Sequence, residues 1–402
     1  MGNEVKEGYK KSSMGIIPED WDLKPLKEVC KFKNGKSADY YSELDKGRYL
    51  IYGSNGPIGS IDDFNLEDGF IVGRVGAVGE IHFISNPVWV SDNAIKMELK
   101  KGEKIEKNYL YYWLKRRKLG QFATKSAQPL LNQSTVKSVP IPFPLFPEQE
   151  KIADILSVVD GKLQKIDQII EKTKELKKGL MQELLTKGIG HSEFKKTEFG
   201  QIPLGWEFCR MSKVVDINPS YDIPEQDEFL FLEMAAVNTD KPSVDYWIKR
   251  NKKDCTSIRF KRFDTLFARI TPCTENGKTS FIEELDNELA FGSTELIVFS
   301  PKKDLVYHKY VYYLAKSHKI RSLAISMMEG STGRQRVPRE IFNSAVKVPL
   351  PPLEEQKKIA DILSSVDEKI QKKEEEKEKV ERLKKGLMQK LLTGEKRTVN
   401  SV

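Results

Sequence analysis

The sequence has few of the residues that build disulfide-bonded or metal-bound frameworks. Its four cysteines, Cys30, Cys209, Cys255 and Cys273, form no C-x-x-C pair, and its four histidines do not cluster. We therefore expect neither a disulfide framework nor a metal site. No apolar run reaches the ~18 residues of a membrane-spanning helix, and the first residues lack the apolar stretch of a signal peptide. We expect a cytoplasmic chain that makes no contact with a membrane.

Motifs that hold catalytic cofactors are missing or incomplete. There is no G-x-x-x-x-G-K-[ST] loop for a nucleoside triphosphate. Gly73, Gly76 and Gly79 do not have the G-x-G-x-x-G spacing of a dinucleotide-binding loop, so we interpret them as a tight turn between strands. Residues 218–221, Asn-Pro-Ser-Tyr, resemble the [DN]PP[YF] loop of amino-methyltransferases, but the third residue differs. Because no glycine-rich S-adenosylmethionine motif accompanies this loop, we predict no catalytic residue.

Positive charge is in excess. The 67 Lys and Arg residues outnumber the 59 Asp and Glu residues and give a net charge of +8. Such an excess is consistent with a polyanionic partner such as nucleic acid. The plainer alternative is that the 31% of charged residues only keep the chain soluble, and charge alone does not decide between the two.

The most informative feature that is present is an internal repeat. Residues 148–186 and 355–393 align without a gap and share the segments IADILS and LKKGLMQ. Shorter matches keep the same order in both halves: G-x-I-P-x-x-W before each globular part, Y-x-Y-Y within it and V-P-x-P after it. A repeat on this scale predicts two equivalent halves, each with a globular domain, a proline-rich bridge and a long helix.

The predicted fold class is mixed α/β (α+β), with two globular domains joined by two long antiparallel coiled-coil helices in a pseudo-two-fold repeat. Short apolar runs predict strands at residues 70–72, 80–84, 94–99, 266–270, 279–282 and 295–299. Aromatic residues at helical spacing predict packed helices at 107–117 and 306–317. The predicted divisions are a first domain at residues 1–146, a first long helix at 147–188, a second domain at 189–352, a second long helix at 353–394 and a tail at 395–402.

Apolar residues at heptad spacing predict a seam between the long helices. The seam residues are Ile152, Leu156, Val159, Leu163, Ile166 and Ile170 in the first helix and Ile359, Leu363, Val366 and Ile370 in the second. The first helix leads away from the first domain, so a partner helix that starts at the second domain has to run back. About 40 residues make a helix of roughly 60 Å. The alternative is that each helix packs only on its own domain.

Lysines interrupt this seam at Lys177, Lys377 and Lys384, and the run at 373–379 is nearly all charged. We interpret this as a solvated, weakly packed middle of the two helices. The alternative is a device that fixes the register of the helices.

Basic and amide side chains in the globular domains are candidates for contact with DNA. Arginine pairs with guanine and glutamine or asparagine with adenine in the major groove, and arginine also binds phosphates. The candidates are Arg74, Arg116, Gln128 and Asn132 in the first half and Arg269, Arg334, Gln335 and Arg336 in the second. The alternative is that these residues form a solvated basic face and that the loop at 330–339 only caps its own domain.

Taken together, the chain resembles the specificity subunit of a type I restriction-modification enzyme. The resemblance covers nearly the whole chain and is carried by the paired helical motifs, EQxKIADILS and LKKGLMQxLL, each after a V-P-x-P bridge and a globular domain. It implies a non-catalytic subunit whose two target recognition domains each bind half of a split double-stranded DNA target. It also implies two methyltransferase subunits docked on the helices, joined by restriction subunits. S-adenosylmethionine, ATP and Mg²⁺ are then expected on those partners and not on this chain.

Other classes stay open at this point. A stand-alone methyltransferase or nuclease with its own specificity domains would carry a catalytic motif. A specificity subunit could also serve a stand-alone methyltransferase or a type IIB-like enzyme. A coiled-coil adaptor that binds only protein would not bind DNA even with its partners. Two DNA-reading domains on a rod would contact half-sites about one helical turn, or ~34–36 Å, apart.

Overall fold

The structure, a computed structural model, describes residues 5–39, 43–286, 288–331 and 333–398. The chain divides into two compact units. The first unit is Met1–Ile166 with Glu376–Val402, and the second is Asp167–Glu375. Both long helices therefore contribute one part to each unit.

The first unit contains eleven of the described strands and three short helices. The strands are β1 Tyr9–Ser12, β2 Gly15–Pro18, β3 Asp22–Pro25, β4 Cys30–Asn34, β5 Tyr49–Gly53, β6 Gly56–Ile61, β7 Gly69–Gly73, β8 Ile81–Ile84, β9 Trp89–Val90, β10 Ala94–Leu99 and β11 Pro140–Phe143. The helices are α1 Leu26–Val29, α2 Lys107–Arg117 and α3 Gln133–Ser138, with a 3-10 turn at Leu119–Phe122. The long helix α4, Phe146–Leu184, starts in this unit.

The second unit repeats this order. Its strands are β12 Phe194–Thr197, β13 Gly200–Pro203, β14 Glu207–Arg210, β15 Val215–Ile217, β16 Glu228–Leu232, β17 Ile248–Asn251, β18 Ile258–Phe260, β19 Thr265–Ala268, β20 Thr279–Phe281, β21 Ala290–Gly292, β22 Leu296–Pro301 and β23 Lys347–Leu350. Its helices are α5 Met211–Val214, α6 His308–Lys316, α7 His318–Ser326 and α8 Ile341–Ser344, with 3-10 turns at Met234–Ala236 and Lys252–Asp254. The long helix α9, Leu353–Leu392, starts here and ends in the first unit.

Each unit is built on an antiparallel four-stranded sheet of the same order. The order is β4-β10-β7-β8 in the first unit and β15-β22-β19-β20 in the second. The inner strands β7 and β19 are buried along their whole length. The strands and the two aromatic helices predicted from the sequence are confirmed, since they correspond to β7, β8, β10, β19, β20, β22, α2 and α6.

A second sheet differs between the units. In the first unit it has three strands, β6-β5-β9, and in the second it has four, β17-β16-β21-β18. Each includes one parallel pair, β5 with β9 and β16 with β21. The repeat is therefore close in the main sheet and loose in the second sheet.

The repeated sequence motifs join each domain to its long helix. The indole N–H of Trp21 donates to Glu148 Oε2, and that of Trp206 donates to Glu355 Oε2, each at 2.9 Å. The glutamine after each glutamate is buried and accepts a backbone N–H at the start of α2 or α6. Because these bonds satisfy polar groups that are out of reach of water, the G-x-I-P-x-x-W and EQ motifs recur together.

The proline-rich bridge is a strand in each unit, where the sequence predicted only a boundary. β11 pairs with β3, and β23 pairs with β14. The hydroxyl of Tyr109 donates to the carbonyl of Pro142 at 3.0 Å, and that of Tyr310 donates to Pro349 at 3.1 Å. Prolines are tolerated here because, among the residues that the structure describes, each of these sheets has two strands and one side of every strand lacks a hydrogen-bonded neighbour.

The long helices pack against each other within each unit. Leu156 is buried with Leu391 in the first unit, and Leu363 with Leu184 in the second. The predicted seam residues are all buried or half-buried: Ile152, Leu156, Ile166, Ile359, Leu363 and Ile370 are buried, and Val159, Leu163, Ile170 and Val366 are half-buried. Early residues of one helix meet late residues of the other, so the paired segments are antiparallel.

The interpretation of the seam lysines as solvated is wrong at Lys177 and Lys384. Lys177 is buried, with 8% of its surface exposed, and pairs with Asp367 in the second unit. Lys384 is half-buried and pairs with Asp160 in the first unit. Each aspartate also accepts a hydrogen bond from a tyrosine, Tyr313 or Tyr112. A lysine can occupy the seam because the opposite helix supplies a carboxylate.

Candidate nucleic-acid interface

In the second unit, one end of the main sheet gathers the predicted DNA-binding residues. Arg269 follows β19, and its N–H donates to the carbonyl of Glu295 just before β22 at 2.9 Å. The loop before α8 folds against this end, because Val337 N–H donates to the carbonyl of Arg269 at 2.8 Å. Within that loop, Glu329 and Arg336 exchange two backbone hydrogen bonds of 3.0 and 2.8 Å. Glu329 and Arg336 therefore form an isolated antiparallel bridge at the sheet end.

The three predicted side chains of this loop have different surroundings. Arg336 is bound to the carboxylate of Glu295 through its Nε and Nη2 atoms, at 2.7–3.1 Å. This bond lowers the pKa of Glu295. Arg334 is exposed, and Gln335 is half-buried with its carbonyl bound to Thr271 N–H at 3.0 Å. Arg334 is therefore the more available of the two loop arginines.

Arg269 itself is half-buried beneath the loop. Its Nε is buried without a hydrogen-bond partner in the part of the chain that the structure describes. Burial lowers the pKa of Arg269, and the neighbouring positive charge of Arg339 lowers it further. Two arginines thus lie close together at the sheet end.

The first unit has the same frame with different side chains. Arg74 follows β7, and its carbonyl accepts the N–H of Leu131 at 3.0 Å, as that of Arg269 accepts Val337. A hydrogen bond of 2.9 Å between Thr124 N–H and the Leu130 carbonyl closes the loop. Gln128 in this loop is exposed. Asn132 after it is exposed too and precedes α3 without capping it through its side chain.

Arg116 is engaged within the chain. Its Nη2 donates to Gln389 Oε1 on α9 at 2.9 Å. Burial is the main cause that lowers its pKa. The structure thus brings Arg74, Gln128 and Asn132 to one sheet end and its loop, and it gives Arg116 a bond to the long helix. The contact of each of these residues with DNA stays a prediction.

A polar pocket beside the second unit's loop was missed in the sequence. It has a volume of about 370 Å³ and is lined by Asn218, Ser257, Arg259, Thr294 and Arg339, among others. Asn218 has a φ of 49°, in the left-handed region that asparagine tolerates better than most residues. The Asn218-Pro219 pair was the available signal, because proline has no N–H to donate to a sheet and therefore favours the end of a strand.

The described part of the chain has neither a candidate metal site nor a helix that could span a membrane. Within residues 5–39, 43–286, 288–331 and 333–398, no group of three or more His, Cys, Asp or Glu is placed to hold a metal ion. Over the same residues, none of the helices combines the length and the apolar character needed to span a bilayer.

Comparison with known proteins identifies the family. The family described as "Type I restriction modification DNA specificity domain" matches residues 18–175 and 203–382, one match in each half. Two relatives from Methanocaldococcus jannaschii are similar along nearly all of both chains. The type I restriction enzyme MjaVIII specificity subunit is 28% identical over 98% of this chain and 97% of its own. The putative type I restriction enzyme MjaX specificity subunit is 29% identical over 97% and 96%.

A solved structure shares the fold. The S subunit of a type I restriction-modification system from M. genitalium matches with a TM-score of 0.61 and 16% identity, over 92% of this chain and 96% of that one. The family description matches both halves of the chain, and the two relatives are similar over nearly their whole length. This chain belongs to the family of type I restriction-modification DNA specificity subunits.

Proposed function

We propose that this specificity subunit, which is not an enzyme itself, reads a bipartite and asymmetric DNA target, one half with each unit. One observation carries the proposal. The two units place an arginine at the same end of the same sheet, beneath loops of different sequence. A constant frame with different loops is what two different half-sites require, because bases are distinguished by the side chains that reach their edges.

The loops offer different groups to bases. Arg334 and Gln335 in the second unit are suited to guanine and adenine, whereas Gln128 and Asn132 in the first unit are both amides. An amide contacts adenine through paired hydrogen bonds. We therefore expect the half-site of the first unit to depend on adenine and that of the second to include guanine.

We propose that two methyltransferase subunits dock on the long helices, with restriction subunits joining them. Leu176 and Leu383 occupy equivalent positions of the repeat, one in each unit, and each is 55% exposed. A repeated exposed leucine suits two copies of one partner, because each copy then meets the same surface. S-adenosylmethionine, ATP and Mg²⁺ are held by these partners, and the assembly acts on double-stranded DNA in the cytoplasm.

Methylation sequencing tests this function. The chain is combined with its methyltransferase subunit and S-adenosylmethionine, and the modified sites on random-sequence DNA are mapped. We expect two short, unequal read segments separated by an unread spacer. Insertion of one helical heptad in both α4 and α9 is expected to change the spacer and leave both read segments intact. A single continuous site, or no site-specific methylation, would contradict the proposal.

A further inference from the structure

The polar pocket of the second unit lies next to the loop that carries Arg334 and Gln335. Asn218 comes directly after β15, Arg259 lies in β18, Thr294 precedes β22, and Arg339 follows the loop that carries Arg334. Asn218 is held at the sheet end because its N–H donates to the carbonyl of Val298 at 2.9 Å. Its Oδ1 accepts the N–H of the same residue at 2.7 Å. The pocket is therefore part of the same surface as the predicted reading residues.

Among the described residues, those that line the pocket carry positive charge and no carboxylate. Arg259 and Arg339 line it, and Arg269 lies near Arg339. None of these three arginines forms an ion pair among the described residues. Glu295, which is bound to Arg336, lies close enough to Arg269 and Arg339 for their charges to lower its pKa. Arg259 donates through Nη1 to the carbonyl of Tyr221 at 2.8 Å, so its other N–H groups are the ones available to a ligand. Like charges that share a half-buried site repel each other unless an anion lies between them.

Several donors around the pocket also lack an acceptor. Asn218 Nδ2, Ser257 Oγ, Arg269 Nε and Arg339 Nε are buried without a hydrogen-bond partner in the described part of the chain. Three of these donors, on Asn218, Ser257 and Arg339, belong to residues that line the pocket. Buried donors are nearly always satisfied in folded proteins, so these three need an explanation. Amide, hydroxyl and guanidinium donors together suit a ligand with several negatively charged oxygens. A phosphate group has that chemistry.

The corresponding place in the first unit is filled by backbone. There β4 continues to Asn34, and Gly35 follows with its N–H bound to the Ala94 carbonyl at 2.9 Å. A Cβ on Gly35 would lie 1.9 Å from the carbonyl oxygen of Ser91, so there is no space beside it. In the second unit, β15 ends at Ile217, and Pro219 cannot donate to a continuing ladder. The chain therefore leaves the sheet after Asn218, and the space beside it is the polar pocket.

We propose that the pocket formed by Asn218, Ser257, Arg259 and Arg339 binds one phosphate of the DNA backbone and so anchors the second unit, but not the first, beside its half-site. This rests on the proposed function, since it assumes that the sheet end faces DNA. Phosphate contacts fix position and carry no sequence information. The first unit, without such a pocket, then depends more strongly on its base contacts.

The test uses the full chain assembled with its methyltransferase subunits. Binding of Arg339→Gln and Asn218→Asp is measured on target and scrambled duplexes at several salt concentrations. We expect both variants to bind both duplexes more weakly by the same factor, with the salt slope of Arg339→Gln shallower by about one. The matched control is Arg262→Gln. Arg262 is an exposed arginine that precedes β19, donates to the Glu283 carbonyl and lies outside the pocket. The control should match the wild type.

A duplex with one neutral methylphosphonate linkage locates the contact. When the linkage stands at the bound phosphate, the Arg339→Gln variant should lose nothing further, because the same interaction is already gone. Additive losses at every linkage beside the half-site would overturn the proposal. So would unchanged salt slopes, or a loss confined to the target duplex.

Free phosphate is the other source of the same chemistry. Inorganic phosphate is titrated into the assembled wild type and Arg339→Gln by calorimetry. Binding of inorganic phosphate that depends on Arg339, together with unchanged DNA binding in the variant, would overturn the backbone contact. The proposed function has its own readout: a wild type that methylates no specific site fails it, whereas a specific wild type with an indifferent Arg339→Gln fails only this inference.

Discussion

The two units of this chain are alike where a domain meets a helix and unlike where the main sheet ends. The bonds Trp21–Glu148 and Trp206–Glu355 have the same atoms and the same length, 2.9 Å. At the sheet end, by contrast, the second unit has an arginine loop and a polar pocket where the first has amides and a closed backbone. The repeat thus preserves the junctions that hold the frame, whereas the surface proposed to face DNA differs between the halves.

Each unit has an equivalent Lys–Asp ion pair between the long helices, but the two pairs differ in exposure. The Lys177 and Asp367 side chains in the second unit are 10% and 9% exposed, whereas those of Lys384 and Asp160 in the first are 27% and 33% exposed. A charge that loses its partner is costly when it is buried and cheap when water reaches it. Equivalent positions thus differ in energy although they share chemistry.

The largest expected effect is on the stability of the second unit. Asp367→Ala should destabilise the second unit by about 3–5 kcal/mol, because it leaves the buried Lys177 unpaired. Asp160→Ala should cost about 1 kcal/mol, because Lys384 can reach water. Urea unfolding followed by hydrogen exchange reports on each unit separately. Asp154→Ala, an exposed position on α4, is the control. Equal losses in the two aspartate variants would remove the distinction.

A smaller effect depends on pH. Asp264 in the second unit is 1% exposed, and burial raises its pKa from 3.8 to about 6, whereas the equivalent position in the first unit is Gly69. The folded state therefore holds its proton longer than the unfolded state, so stability falls as pH rises from about 4 to 6. This rise in the pKa of Asp264 corresponds to about 3 kcal/mol of stability.

Asp264→Asn should remove this pH dependence. The free energy of unfolding of the wild type, minus that of the variant, is expected to fall by up to about 3 kcal/mol between pH 4 and pH 7. The measurement is urea unfolding at half-unit pH steps. Parallel curves for the two proteins over this range would show that the Asp264 carboxyl titrates in the folded state as it does in the unfolded chain.

The smallest predicted effect lies in base discrimination. Arg334→Ala should cost about 1–3 kcal/mol of discrimination at one position of one half-site. Asn132→Ala should act on the other half-site alone. Binding of the assembled complex to duplexes substituted at each position measures both. If Arg334→Ala weakens all sequences equally, the residue contacts phosphate, and if both variants affect the same half-site, the division between units is wrong.

Much of the frame could be predicted from the sequence. The heptads gave the long helices and their antiparallel pairing, and short apolar runs gave the strands of the main sheets. The burial of Lys177 could not be predicted, because its partner Asp367 lies far along the chain on another helix. The second sheets were missed because parallel pairs such as Ile51 with Trp89 leave no local signal.

The site was predictable only in outline. The Arg-Gln-Arg loop marked one surface, but the pairing of Arg336 with Glu295 joins residues 41 positions apart. The pocket at Asn218 arises from four segments that only the fold brings together. Composition and spacing identify candidate side chains, whereas their charge balance depends on contacts that are distant in sequence.

The claim that each unit reads its own half-site is tested most directly by a domain replacement. Residues 207–350 are replaced with a second copy of residues 22–143, so that both segments from the first paired strand to the proline-rich bridge come from the first unit. Methylated sites are then mapped for this chain and the wild type, each with the same methyltransferase subunits. We predict a target in which the half-site of the first unit occurs twice, as an inverted repeat around an unchanged spacer. Survival of the second, wild-type half-site in the methylated sequences would contradict the account.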